Sequence, residues 1–561
     1  MAFAIDQAKI TEKFHRHYPD DEGADACLQW SSRMTLILSV SAVYTTLVLK
    51  RRLSLKYAYI FLVCLVLPLS SCAPQLTAEQ RRQDIELLAR WAKDYSPTVA
   101  VNERYRGLPS YEALGPQYIE LAEKAGDNKE FLQVVFGYFN LIGASGHGHL
   151  YPKEILAALM VESLLKGGKG WMDISWHQYA RGMYWSGLLE GSFVHPPFRV
   201  VHRQNEYVTA GQWQTQGVTI PKDSRILRVN GMTCKAYVQH LKEETWLRYV
   251  AGNVDWISKQ LLVIPEAKDF RGWNVEFLLS DGSTHQAFVP SRKGLPSPRS
   301  TEFLDYDRGN CVCVELTDKV GYVRVKALVH AFRKADQKRI RRFLDKSQGR
   351  YEKLIIDVRG NGGGSTFYVY ETLIQPFLRE PAIYMQTTGV RKKFLADKGS
   401  TYVDRLRGGV SQWAWEMKIE ETGPPDGFDP CEWVFYEITR EVKPSDPYCF
   451  DGRLYVLADR GSGSATETYA DAVKRTGLGT IVGQRTAGGL GGYFMADTVR
   501  LPASGMIFRL EADLDINPDG SFQELAGTKP DVELPPCDLP EKSTKEELLK
   551  DAWIRKVIEE L

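Results

Sequence analysis

Short apolar runs that stop abruptly at glycines set the pattern of this chain. Leu354, Ile355, Ile356 and Val358 run into Gly360, Gly362, Gly363 and Gly364, and Leu454, Tyr455, Val456 and Leu457 run into Gly461-Ser462-Gly463-Ser464. A buried strand that hands over through glycines to a segment of helical spacing has this signature, so both are read as strand, loop, helix. The same alternation predicts strands at 321–325 and 480–482 and helices at 335–344, 368–377 and 468–476. From residue 309 onward the pattern is therefore α/β. Upstream, Ile85, Leu87, Leu88 and Trp91, then Tyr118, Ile119, Leu121 and Ala122, then 131–141, keep a 3.6-residue period and predict a largely helical stretch from 77 to about 189. Between them, alternation at Phe198 and Val200, Val218 and Ile220, and Val275 and Phe277 predicts short strands from 198 to about 290. Within that stretch Ile226-Leu227-Arg228-Val229-Asn230-Gly231 precedes a helix at 236–247. Residues 405–449 break the α/β pattern with Trp413, Trp415, Trp433, Cys431 and several prolines, and read as a loop-like insert beside the core.

The first 71 residues read differently. Lys50, Arg51, Arg52 and Lys56 precede an apolar stretch at 57–69 and then Leu69-Ser70-Ser71-Cys72. That run is shorter than the roughly 20 residues that span a bilayer, and it suits the apolar centre of a signal peptide. Residues 50–71 are read as a lipoprotein signal, with Cys72 the lipidated first residue of the mature protein. The alternative is a single transmembrane anchor. A lipid anchor holds a soluble domain on a membrane surface, which places the mature chain in a bacterial cell envelope, facing the periplasm or exterior. A second apolar run at 34–49 lies far from the chain start, so translation is expected to begin further downstream than residue 1.

Charge excludes one class of partner. With 71 basic against 70 acidic side chains, nothing favours nucleic acid, whose protein partners carry strongly basic surfaces. Six cysteines follow Cys72: Cys234, Cys311, Cys313, Cys431, Cys449 and Cys537. In an oxidising compartment Cys431 with Cys449 is the first pair to expect, since both lie in the insert, although connectivity cannot be deduced from sequence. His147 and His149 open a His-x-His element, but no further His or Asp ligands complete a metal cluster, and neither metal nor cofactor is expected.

The two glycine loops carry the chemistry. Neither G-x-G-x-x-G nor Gly-Lys-Ser/Thr occurs at 360–364, which argues against phosphate binding. Ser462 and Thr466 stand where G-x-S-x-G requires glycines, so Ser464 is not on an α/β-hydrolase elbow. Ser464 lies at or just before a helix N-terminus, where unpaired N–H groups and the helix dipole favour negative charge.

Gly321-Tyr322-Val323-Arg324-Val325, Asp357-Val358-Arg359-Gly360-Asn361-Gly362-Gly363-Gly364 and Ser464-Ala465-Thr466-Glu467 resemble the core of the tail-specific, or C-terminal processing, serine peptidases and their tricorn-core relatives. The resemblance implies an α+β multidomain protein: a helical N-terminal domain at 72–195, a PDZ-like domain at 196–300 and a ClpP/crotonase-like α/β peptidase core at 301–561, with the insert at about 400–450. It departs from the tail-specific branch in one respect. That branch carries a lysine base after the nucleophile, and here the similar stretch is Thr486-Ala487-Gly488-Gly489. Lys474, ten residues along a helix from Ser464, stands about 15 Å away and off its face. The tricorn-like branch uses histidine and glutamate instead. It points to His149, with His147 as rival, and to Glu524 in Glu524-Leu525-Ala526-Gly527-Thr528-Lys529-Pro530-Asp531. The implied machinery is Ser464 as nucleophile, His149 as base, Glu524 orienting it, and an oxyanion hole from Gly363 and Ala465, acting on peptides that the PDZ-like unit positions. The alternative of another class is a non-catalytic binding lipoprotein on the same scaffold.

Overall fold

The computed structural model describes residues 74–99, 101, 110–142, 148–153, 155–157, 159–160, 175–203, 206–215, 217–243, 261–266, 269–294, 309–399, 416–489, 497–537, 539–540 and 543–561. The leader, Cys72 and His147 lie outside them.

Among the described residues four helices come first: α1 (Ala78–Tyr95), α2 (Tyr111–Lys124), α3 (Asn128–Ile142) and α4 (Trp176–Gly191), with a short strand β1 (His149–Leu150) between α3 and α4. Thr77 and Ser175 open α1 and α4 with reciprocal capping boxes to Gln80 and Gln178, which satisfy N–H groups that the first helical turn leaves over. These helices do not close a core among themselves. Ile85, Leu88, Phe131, Val135 and Trp185 pack against Val499, Leu501, Met506, Phe508 and Leu510 from far down the chain.

An antiparallel sheet follows, built from β2 (Val200–Arg203), β3 (Glu206–Thr209), β4 (Arg225–Val229), β5 (Gly272–Leu278) and β6 (Thr284–Pro290) in the order β6-β5-β4-β3-β2. Helix α5 (Cys234–Glu243) closes it, and Trp273, Phe277, Val229 and Tyr237 form a separate apolar cluster beneath. Asn230 and Gly231 both take positive φ, which the two-residue turn leaving β4 requires.

The core sheet runs β7 (Cys311–Glu315), β8 (Val320–Val325), β9 (Lys353–Asp357), β13 (Arg453–Ala458), β14 (Thr480–Gly483) and β18 (Val532–Glu533); only the β7–β8 pair is antiparallel. Its central strands are apolar on both faces, as a parallel sheet covered on both sides demands. Leu354 and Ile356 face α6 (Arg333–Ser347) and α7 (Ala465–Thr476), while Ile355, Tyr455 and Leu457 face α9 (Ala552–Glu559) through Trp553, Ile554 and Val557.

The structure departs from three expectations. The insert is not loop-like over its described residues: β11 (Glu416–Thr422) and β12 (Trp433–Val442) join β10 (Ala382–Arg391) and β17 (Asp513–Ile516) in a second sheet, ordered β11-β12-β10-β17. Every second residue of β12 is packed inward, which the Trp- and Pro-rich composition concealed. Cys431 and Cys449 are unpaired thiols. They flank opposite ends of β12, a strand roughly 33 Å long, whereas a disulfide needs Cα atoms within about 7 Å. The helix expected at 368–377 is an irregular succession of tight and widened turns. A third sheet, β1, β16 (Ile507–Leu510) and β15 (Asp497–Arg500), joins the helices to the core, with His149 opposite Arg509. A short helix α8 (Gln523–Ala526) follows β17.

Candidate active site

The two glycine loops are bound to each other. Gly360 N donates to Asp459 Oδ1 (2.7 Å), Ser462 Oγ to Val358 O (2.8 Å) and Gly463 N to Asn361 O (3.1 Å). Asn361 also donates through Nδ2 to Val325 O (3.0 Å), so a fully buried amide fixes the loop to the neighbouring strand. Asp459, Ser462 and Asn361 were not singled out from the sequence. What could have flagged them is their position at strand ends between glycines, where a polar side chain must satisfy turn backbone.

Asp357 and Arg359, the first two residues of the motif D-x-R-x-N, serve the scaffold. Arg359 is buried between Asp357 (2.7 Å) and Asp551 (2.9 Å) and lies 5.1 Å over the Trp553 ring. Tyr322 Oη donates to the same Asp357 at 2.7 Å. Burial pushes the Asp357 carboxyl up, but the guanidinium groups of Arg359 and Arg324 outweigh it and hold it at about 2.

Ser464 is the N-cap of α7, with φ 56° and ψ −122°. A β-carbon rarely tolerates positive φ, and such strain typically costs about 1–3 kcal/mol, held by the surrounding structure. The Ser464 side chain does not cap the helix. Its backbone N donates to Gly488 O (3.1 Å). Gly363 closes over it, with φ 105°, and a β-carbon there would lie 2.7 Å from Ser464 Cβ and 2.8 Å from Ala465 N. Ser464, Ala465 and Gly363 are therefore in one place. The Ala465 N–H is the first of α7, where helix geometry provides no intrahelical acceptor. Gly363 N donates to Asn361 Oδ1 (3.0 Å), a bond that orients it and must be shared when it serves another oxygen. A cleft of about 490 Å³ opens beside Gly363, lined by Leu328, His330, Ser365 and Phe367 among others.

Glu524 is buried at the start of α8 rather than on a solvated loop. Its backbone O lies 3.0 Å from where a Gly488 β-carbon would stand, so it neighbours the residue that holds Ser464 N. Oε1 accepts from Asp515 N (3.1 Å), and Oε2 is buried with no hydrogen bond among the described residues. Burial first, and Asp515 second, push the Glu524 carboxyl well above the usual range. His149 arrives on the third sheet, half-buried, its ring 5.8 Å from Tyr151. Its partner strand β16 leads within three residues into β17, which holds Asp515.

The sequence motif names Glu467 without a role, and the structure gives it one. It is fully buried, and burial, opposed by bonds from Thr486 and Thr528, raises its carboxyl to about 7. Oε2 accepts from Gly488 N (3.1 Å), and Oε1 from Gln523 Nε2 and Thr528 Oγ1. Ser464-x-x-Glu467 is the spacing of a capping box, the signal that marks this helix start. Lys474 is occupied elsewhere, donating to Asp531 Oδ1 (2.6 Å) and Lys529 O (3.0 Å).

Residues 319–534 match the family model of Peptidase family S41. Among solved structures, mature CPAF complexed with lactacystin is similar, at 14% identity over 86% of this chain and 98% of that chain, with a TM-score of 0.53. The photosystem II D1 C-terminal processing protease aligns at 16% identity over 82% of this chain and 95% of that one, with a TM-score of 0.39. A putative peptidase from Parabacteroides merdae aligns at 21% identity over 47% and 70%, with a TM-score of 0.29. No curated protein sequence matches the chain.

Proposed function

We propose that this chain, a serine peptidase built on a peptidase family S41 core, cleaves polypeptides through an acyl-enzyme formed on Ser464. One observation carries the reading: Ser464 stands in a strained conformation at the N-terminus of α7, with Gly363 pressed against it. His149 takes the hydroxyl proton, and the alkoxide attacks the substrate carbonyl. The negative oxygen is held by the Ala465 N–H and by the Gly363 N–H, which shares its bond to Asn361 Oδ1 with the incoming oxygen. His149 then returns the proton to the leaving amine, and water repeats the sequence on the ester. Glu524 orients the imidazole. Burial and Asp515 raise its carboxyl in the resting site, and an imidazolium brought next to it would favour the ionised form. The cleft beside Gly363 is where a substrate side chain next to the cleaved bond would sit.

Two further parts of the reading concern delivery. The sheet β2–β6 with α5, following Ile226-Leu227-Arg228-Val229-Asn230-Gly231, is assigned as a PDZ-like unit that takes a peptide terminus as an added strand. The leader pattern at 50–72 supports a lipid anchor on Cys72 and an envelope location. Cys72→Ala is expected to move the protein from the membrane to the soluble fraction, and unchanged partitioning would remove the anchor from the reading.

The test is labelling of the purified mature protein with a fluorophosphonate, since only an activated serine reacts. Labelling is expected at Ser464, lost in Ser464→Ala and His149→Ala and strongly slowed in Glu524→Gln, with cleavage of unfolded polypeptide changing in parallel. A wild-type serine that stays unlabelled would mean a binding protein on this scaffold.

A further inference from the structure

We infer that Glu467 is a positioning residue that fixes the nucleophile by clamping the Gly488 peptide. The inference rests on Ser464 being the nucleophile. By sequence, Ser464-x-x-Glu467 is a capping box in which serine and glutamate satisfy each other's backbone N–H groups at one helix end. In the fold both halves are diverted. The Ser464 side chain makes no cap bond, and the Ser464 N–H goes to Gly488 O (3.1 Å) instead of to Glu467. Glu467 turns outward from its helix and accepts the N–H of that same Gly488 (3.1 Å). The Gly488 peptide is thus held through its oxygen by the nucleophile's backbone and through its nitrogen by the carboxylate three residues later.

That clamp holds a conformation that would otherwise relax. A serine at positive φ keeps its geometry only if its backbone bonds prevent rotation, and its N–H is bonded to Gly488 O. Gly488 itself has no slack, since its φ is 77° and a β-carbon would meet Gln523 O at 2.5 Å. The second carboxylate oxygen takes Gln523 Nε2 and Thr528 Oγ1, which tie α8 and the segment carrying Glu524 to the same helix. One buried side chain therefore sets the distance between the segment of the nucleophile and the segment of the orienting acid. Position is worth much here, since a displacement of about 1 Å can cost roughly 100-fold in rate.

Glu467→Gln tests it. The amide keeps size and one carbonyl oxygen, but an NH2 group must then face either the Gly488 N–H or the donors from Gln523 and Thr528. Active sites are counted with a stoichiometric fluorophosphonate, so kcat is expressed per labelled serine and misfolded protein does not enter. The expected result is a fall in kcat and in labelling rate of about 10-fold or more, with KM within about 3-fold. A kcat per labelled site within about 2-fold of wild type overturns the inference. If the variant does not fold, amide hydrogen exchange on the wild type decides: slow exchange at Gly488 is expected, and exchange as fast as in an exposed loop overturns the clamp. A wild-type enzyme unlabelled at Ser464 would instead defeat the peptidase mechanism, so the two failures are distinguishable.

Discussion

Small residues at two strand ends decide whether this site exists. Gly363 is the sharpest case, because a β-carbon would strike Ser464 Cβ and Gly463 O at 2.7 Å and would have to adopt φ 105°. Gly363→Ala is therefore expected to lower kcat/KM by at least about 100-fold, the usual cost of one lost oxyanion donor, while circular dichroism stays unchanged. Asp357 illustrates the opposite use of a motif residue. Its folded-state value of about 2 lies below the ordinary 3.8, so the group stabilises the fold above that ordinary value and loses its contribution as pH falls from about 4 towards 2. The shift corresponds to about 2 kcal/mol for a fully buried group. Removing its partner is worse, since an unpaired charge stays behind: Arg359→Met is expected to destabilise by about 3–5 kcal/mol in urea unfolding.

At the scale of elements, the two glycine loops are only as firm as the layers beneath them. Helix α9 covers one face of the core sheet. Trp553 from it packs over Arg359, donates to Pro535 O (2.9 Å) and fills the space that a side chain at Gly483 would need. Asp551 caps α9 through the N–H groups of Trp553 and Ile554 and pairs with Arg359, so the end of the chain is wired to the D-x-R motif. Trp553→Ala is expected to cost about 3–5 kcal/mol, read as a lowered urea midpoint with the slope unchanged. The periodicity of apolar residues was enough to read β8, β9, β13, β14, α6 and α7. It did not reveal β11 and β12, because indole rings and prolines obscure a two-residue alternation whose partner strand, β10, lies more than forty residues earlier.

Across the whole molecule, the helices α1–α4 and the far end of the chain complete one another. Buried Asp84 accepts from Ala503 N (2.9 Å) and Ser504 N (2.8 Å), Trp185 Nε1 donates to Ser504 O (2.9 Å), and Trp91 Nε1 to Asp497 Oδ2 (2.8 Å). A fragment beginning near residue 301 would expose Val499, Met506 and Phe508, which pack on these helices, and it is expected to aggregate or to lack a cooperative thermal transition. The same junction brings in His149, since β1 pairs with β16. The proposed base is thereby held by a strand pair that the helical part and the later chain build together.

The order of strands and helices in the core and the two glycine loops were legible in the sequence, because they depend on local periodicity and on turns that only glycine makes. Tertiary structure alone decided the positive φ of Ser464, the diversion of Glu467 to Gly488, the burial of Glu524 beside Asp515 and the separation of Cys431 from Cys449. Each of these depends on how separate segments of the chain are brought into hydrogen-bond contact or kept apart by a strand between them, and no local pattern in the chain encodes that.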